Sequence, residues 1–90
     1  MKSTVFAVEF TPVAVRDLKK LDPRVRGQLL HASRVLERTP YPMQGGRIKP
    51  LVGVSPPHFR LRIGDYRIVY RIEESKVIVV RVAHRREVYR

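Results

Sequence analysis

The stretch HFRLRIGDYRIVYRIEESKVIVVRV, residues 58–82, decides the fold of this 90-residue chain. Its residues 59–63 alternate between apolar and basic, which is the periodicity of a β-strand. Gly64-Asp65 is a two-residue turn of the kind that β-hairpins favour, and residues 66–72 return as the second strand. Residues 77–82 are almost continuously apolar, as expected for a strand near the centre of a sheet. The stretch therefore predicts an antiparallel β-meander.

Two helix-start signals lie upstream of this meander. Thr11-Pro12 and Asp22-Pro23 each place an N-cap residue directly before a proline at the first helical position. Apolar residues recur at helical spacing after both signals, so we expect a short helix to about Lys20 and a second helix as far as Leu36. The prolines of the segment 39–42 end the second helix.

Two further segments are predicted as strands. Residues 4–10 alternate between two faces and predict the first strand, and residues 47–49 predict a short strand before Pro50. The expected fold is a small α+β domain, βαα followed by an antiparallel β-meander, with the helical hairpin packed on one face of an antiparallel sheet. A chain of this length is expected to form a single domain over residues 1–90.

Composition and charge limit the possible functions. The chain has 19 Lys and Arg against 8 Asp and Glu, a formal net charge of +11, which favours an anionic partner and nucleic acid first. No apolar run approaches the ~18 residues of a membrane span and no leader peptide opens the chain, so we expect a cytoplasmic protein without membrane contact. Without cysteine, and with three scattered histidines, neither a metal nor a cofactor is expected.

The predicted hairpin register creates a basic strip. A two-residue turn at Gly64-Asp65 places Arg62 opposite Arg67, although like charges in this position are destabilising. The same face is expected to carry Arg60 and His58. Planar guanidinium groups bind phosphate in a bidentate manner, so the strip is a candidate phosphate site. Because a chain with 19 basic residues also brings some of them together by chance, a merely solvated face is the alternative.

The segments 65–72, 77–83 and 84–89 resemble the C-terminal half of RelE-type toxins of the RelE/ParE superfamily, and the order of elements ahead of them fits as well. The resemblance implies the microbial RNase-like RelE fold and a ribosome-dependent endoribonuclease. Such a toxin cleaves mRNA by attack of a 2′-hydroxyl on the adjacent phosphate and so inhibits translation. It further implies a cognate acidic antitoxin, with DNA contacted only indirectly through the toxin–antitoxin complex.

The resemblance also implies the residues of the site. The candidate catalytic residues are His58, Arg60, Arg67, Arg85 and Tyr89. The candidate RNA-binding residues are Arg62, which the resemblance also places in the site, and the residues Arg47, Lys49, His84 and Arg86 of the basic loop and tail. The best-known members have lysines at the positions of His58 and Arg60; arginine suits phosphate binding but is a poor proton carrier. His58 is therefore the candidate general base, with His84 or Tyr89 as candidate acid or stacking partner. A satisfied, non-catalytic side chain for His58 and a simple cap on the sheet edge for Tyr89 stay the alternatives.

Two other functions share this pattern. A member of the ParE branch would have the same fold but would inhibit DNA gyrase as a protein-binding toxin. A basic protein that binds RNA or the ribosome without cleaving RNA would use the same strip. The basic strip with His58 and the tail from Arg85 to Tyr89 favour the nuclease.

Overall fold

The computed structural model describes residues 5–42 and 46–88. One sheet contains five strands in the order β1-β5-β4-β3-β2. The strands are β1 (Ala7–Phe10), β2 (Ile48–Pro50), β3 (Phe59–Ile63), β4 (Tyr66–Glu73) and β5 (Lys76–His84). The helices are α1 (Pro12–Lys19), α2 (Pro23–Ala32), which continues as a 3-10 turn (Ser33–Glu37), and α3 (Arg85–Val88). Within the described residues no helix is long and apolar enough to cross a membrane.

Both predicted helix starts are confirmed. The Thr11 hydroxyl accepts a hydrogen bond from the Ala14 N–H at 3.2 Å. The Asp22 carboxylate accepts from the Arg24 N–H at 2.8 Å. These side chains satisfy backbone donors that have no partner within the first turn of a helix, so the two helices begin where the sequence predicts.

The β3–β4 hairpin has the register that its turn predicts. Gly64 adopts a φ of 57°, the left-handed conformation that a glycine tolerates in tight hairpin turns. Arg62 lies opposite Arg67 and Leu61 opposite Ile68, as expected. The short strand that the sequence places at residues 47–49 is found at Ile48–Pro50, antiparallel to β3.

The prediction of an antiparallel sheet is wrong at one edge, because β1 pairs with β5 in parallel and the sheet is therefore mixed. The alternation of residues 4–10 indicates a strand, but strand direction depends on where the chain enters the sheet, which alternation does not specify. The strand is also shorter than predicted. Thr11, directly after β1, donates its N–H to the Val79 carbonyl at 2.9 Å, so α1 begins against β5.

The hydrophobic core lies between the helical hairpin and one face of the sheet. Leu18, Leu29 and Leu36 from the helical side pack in one cluster with Leu61 and Ile68 of the sheet. Because side chains alternate along each strand, the residues between these apolar ones project from the other face. The helical hairpin does not cover that second face.

Candidate functional site

The uncovered face carries basic side chains on three neighbouring strands. Arg62 is paired with Arg67 on one side, and its N–H donates to the Arg47 carbonyl at 2.8 Å on the other. One row along β3, Arg60 is paired with Lys49. Residues paired across a ladder project from the same face, so these five side chains form one surface, here called the basic face.

Arg67 lies at the centre of the positive charge. Partial burial, followed by the charges of Arg60, Arg62 and Arg85, lowers the pKa of the Arg67 guanidinium, while Asp65 acts in the opposite direction. An arginine nevertheless stays protonated at neutral pH, because its ordinary pKa is above ~12. The lowered pKa therefore reflects first the loss of hydration and then the repulsion by neighbouring arginines, and a bound anion would relieve the repulsion.

The hairpin turn fixes the direction of the Arg67 side chain. Its Nη1 donates to the carbonyls of Gly64 and Tyr66, each at 2.9 Å. Both bonds are local, so the same turn that sets the strand register also orients the guanidinium. A guanidinium oriented before its ligand arrives loses less conformational entropy on binding.

The same turn positions Arg85, the first residue of α3. The Arg85 N–H donates to the Asp65 carbonyl at 2.7 Å, and its Nε lies 3.8 Å from the Asp65 carboxylate. Both side chains are more than half exposed, so the ion pair is weak and the backbone bond is the firmer contact. Arg85 is thereby brought beside the basic face.

Asp65 is a residue of the site that the sequence pattern did not identify, because Gly64-Asp65 indicates only a hairpin turn. The signal that could have found it is its isolation, because it is the only acidic residue between Glu37 and Glu73.

His58 lies at the opposite end of the basic face, directly before β3. Its half-buried ring donates from Nδ1 to the Pro56 carbonyl at 2.7 Å, since a carbonyl can only accept. In the neutral ring Nε2 is then the unprotonated nitrogen and can accept a proton. Along the strand His58 is about 7 Å from Arg60 and about 14 Å from Arg62.

His84 is separated from the arginines by the sheet. It is paired with Tyr66, on the helix-covered side, and the two rings meet edge to face at 5.6 Å. A β-bulge between β4 and β5 places His84 on this side, because the extra residue of the bulge inverts the alternation of side chains along β5. Val79 and Val82 are therefore both buried, although their spacing is odd.

The remaining candidates lie in the C-terminal tail. Arg86 is an exposed residue of α3, and its N–H donates to Nδ1 of His84 at 3.3 Å. Tyr89 lies outside the described residues. Across residues 5–42 and 46–88, no group of three or more His, Cys, Asp or Glu is arranged to hold a metal ion.

Comparison with known proteins identifies the family. Toxin RelG of Mycobacterium tuberculosis is 40% identical over 88 residues, which cover 94% of this chain and 97% of that toxin. The toxin–antitoxin complex RelBE2 of the same organism contains a chain of similar structure, with 35% identity and a TM-score of 0.78, covering 92% of this chain and 94% of that one.

A free mutant of the Escherichia coli toxin RelE has a TM-score of 0.71 at 24% identity, covering 94% of this chain and 90% of that one, and shows likeness of fold alone. The predicted RelE-type fold and family resemblance are thus confirmed. The model of the ParE toxin of the type II toxin–antitoxin system parDE matches residues 8–89. The chain therefore belongs to this toxin family and is a type II toxin of the RelE/ParE superfamily.

Proposed function

We propose that this toxin is an endoribonuclease that cleaves mRNA on the ribosome and so stops translation. The observation that carries the proposal is the position of Arg67, which lies on an uncovered sheet face among Arg60, Arg62 and Arg85. Arg67 and the three arginines whose charges act on it form a candidate site for an anion with several oxygens. A phosphate of single-stranded RNA has the charge and the geometry for such a site.

The proposed reaction divides three tasks among the candidate residues. Arg60, Arg67 and Arg85 stabilise the negative charge that develops on the phosphate when the adjacent 2′-hydroxyl attacks it. His58, whose Nε2 can accept a proton, precedes Arg60 by two residues and removes the proton of that hydroxyl when the attacked phosphate is held at the Arg60 end of the basic face. Tyr89 is the candidate that protonates the leaving oxygen or stacks on a base.

The other basic residues have a binding role in this proposal. Arg47, Lys49 and Arg62 hold neighbouring phosphates of mRNA or of ribosomal RNA, and Arg86 extends this contact from the tail. His84 lies on the helix-covered side, so we assign it no phosphate contact and no part in the chemistry. A function on the ribosome also implies a cytoplasmic protein.

We further propose a cognate acidic antitoxin as the partner. The RelBE2 relative was crystallised with its antitoxin, and a net charge of +11 leaves this toxin with a surplus that an acidic chain would neutralise. Contact with DNA would then be indirect, through the antitoxin. If the reading frame adjacent to the toxin gene encodes a small acidic protein, its co-expression should yield a stable complex and relieve toxicity.

The second candidate function is inhibition of DNA gyrase. It is favoured by the family model, which describes a ParE toxin and matches residues 8–89. Primer-extension mapping of cellular mRNA after induction distinguishes the two functions. Cuts at defined codons are expected for the nuclease, whereas intact mRNA with altered DNA supercoiling would reject it in favour of gyrase inhibition.

Arg67→Ala separates a nuclease from a protein that only binds RNA. Loss of one preorganised donor to a developing oxyanion commonly lowers the rate by about 100-fold or more, so we expect at least that loss in ribosome-dependent cleavage. Ribosome binding should change by only a few-fold, because the other basic residues remain. Arg24→Ala, the same change on the helical hairpin, is the matched control. A parallel loss of binding and cleavage would indicate a binding protein.

A further inference from the structure

We propose that a cleft at the His58 end of the basic face binds an unpaired nucleobase of the RNA strand whose phosphates lie on that face. This inference rests on the proposed function. It adds a second contact, with a base, to the contacts with the phosphates. A toxin that holds one base in a fitted cleft would select where along a message it cleaves.

The cleft arises because β4 is longer than β3. Phe59, the first residue of β3, is paired with Tyr70, so the last three residues of β4 extend beyond it. The loop that leads into β3 and the segment after the second helix close the space on either side. The resulting cavity has a volume of about 400 Å³, and its walls include Tyr41, Pro56, Pro57, Phe59, Arg71 and Glu73.

The aromatic walls are held in place by the core. The fully buried Tyr70 donates its hydroxyl to the Pro40 carbonyl at 2.7 Å, which anchors the chain next to Tyr41. The Tyr41 ring packs edge to face against Phe6 with centroids 6.0 Å apart, and the Phe59 ring lies 5.7 Å from Tyr70. Tyr41 is nevertheless 53% exposed, so an anchored aromatic ring faces solvent at the cleft.

These walls suit a nucleobase. Aromatic rings stack on bases of any sequence because every base has a flat π-face. At the rim, Arg71 and Glu73 form an ion pair with a 3.0 Å separation. A guanidinium and a carboxylate offer a donor and an acceptor to the polar edge of a base, which apolar walls alone could not recognise.

The cleft lies at the end of the sheet and meets the uncovered face through Arg71, which projects from the same face of β4 as Arg67, and this favours RNA over a protein side chain. His58 lies between Pro57 and Phe59 of the walls, and its ring is bonded to the Pro56 carbonyl. Arg71 follows Arg67 by four residues on the same strand, about 14 Å along it. A single strand that has its phosphates at Arg67 therefore reaches the cleft within a few nucleotides.

The test uses a short single-stranded RNA in which 2-aminopurine replaces each base in turn and 2′-methoxy groups prevent cleavage. Stacking quenches the fluorescence of this base, so we expect quenching at one position of the bound RNA. Tyr41→Ala should abolish that quenching and weaken binding about tenfold, whereas Tyr41→Phe should keep both. Val13→Ala on α1, which also truncates an exposed apolar side chain, is the control.

The outcomes separate this inference from the proposed function. If the wild-type toxin neither cleaves mRNA on ribosomes nor binds the RNA at low salt, the proposed function fails and the inference fails with it. If it cleaves mRNA on ribosomes but does not bind this RNA, only the cleft is rejected. If RNA binds but no position is quenched, or Tyr41→Ala leaves the quenching unchanged, only the cleft is rejected. If Tyr41→Ala weakens antitoxin binding and not RNA binding, the cleft holds a protein side chain and the inference is overturned. Thermal unfolding of both Tyr41 variants checks that they fold.

Discussion

Arg62 and Arg67 lie directly opposite each other on neighbouring strands, and a pair of like charges in this position lowers the stability of a sheet. The Arg67 guanidinium offsets part of this cost with its two bonds to the hairpin turn. A neutral residue at either position would avoid the repulsion. The pair is therefore better explained by a ligand phosphate than by the needs of the fold.

The proposed role of His58 predicts a specific pH dependence. A protonated imidazole cannot accept a proton, so cleavage by the wild type should decline on the acid side of its optimum. His58→Ala should cleave at least about 100-fold more slowly and should lose that acid limb. Single-turnover cleavage on purified ribosomes between pH 5 and 9 measures both effects.

His31→Ala, a histidine of α2 far along the chain from the basic face, is the control for this experiment. It should retain the wild-type rate and profile. An unchanged acid limb in His58→Ala would remove His58 from the proton transfer.

At the scale of the elements, turn chemistry made the β3–β4 hairpin predictable. A two-residue turn permits one register, so Arg62 and Arg67 could be paired from the sequence alone. The β-bulge between β4 and β5 could not be found in the same way, because residues 77–82 are apolar on both faces and conceal the extra residue. The side of the sheet on which His84 lies therefore became visible only in the structure.

Asp17 provides a test of how α1 positions the end of β5. β1 pairs with only the first part of β5, and α1 covers the edge of the remaining part. There the Asp17 carboxylate accepts hydrogen bonds from the Val82 N–H and from Arg81 Nε, each at 2.9 Å. Its side chain is only 10% exposed. Asp17→Ala should lower the free energy of unfolding by about 1–3 kcal/mol, because the part-buried Val82 N–H loses its partner.

Urea unfolding measures this effect, and Asp17→Asn should cost less because one carbonyl oxygen remains. The matched control is Glu9→Ala, which removes a carboxylate that lies 3.6 Å from Lys76 at the surface. Exposed ion pairs contribute at most about 1 kcal/mol. Equal losses for the two alanine variants would contradict the role given to Asp17.

The buried Tyr70 should make the free energy of unfolding depend on pH in the alkaline range. Burial raises the pKa of its phenol above the ordinary value, since the ionised form would lose its hydration. As the pH rises, the unfolded chain loses its phenolic proton before the folded chain does. The stabilisation of the folded state is therefore complete below a pH of about 10 and is lost as the pH rises further. Tyr70→Phe should weaken this alkaline dependence and should cost about 1–2 kcal/mol at neutral pH, because the Pro40 carbonyl loses its donor.

Urea unfolding at pH 7 and above pH 10 measures both effects. Tyr41→Phe, which removes the hydroxyl of a ring that is 53% exposed, is the control for an exposed tyrosine. The same alkaline slope in wild type and Tyr70→Phe would show that the buried phenol does not govern it.

At the scale of the whole molecule, charge is distributed unevenly along the sheet. The arginines of the basic face extend from the middle of β3 to the β3–β4 turn, where Asp65 lies 3.8 Å from Arg85. At the β4–β5 end, Arg71 is paired with Glu73 and Lys76 with Glu9. Basic side chains are therefore matched by carboxylates at one end and are in excess at the other, which would orient an approaching polyanion.

This excess predicts how binding responds to salt. Each phosphate that a basic side chain neutralises releases a counterion, so the logarithm of the ribosome affinity should fall linearly with the logarithm of the salt concentration. Lys49→Ala should weaken binding and reduce the slope by about 0.7–1, because one phosphate contact is lost. Arg24→Ala on α2 removes the same charge from the helical side and should leave the slope unchanged. Filter binding of purified ribosomes over a salt series gives both slopes. If the two variants reduced the slope equally, the net charge of the toxin alone would account for its attraction to the ribosome. The basic face would then be rejected as the RNA-binding site.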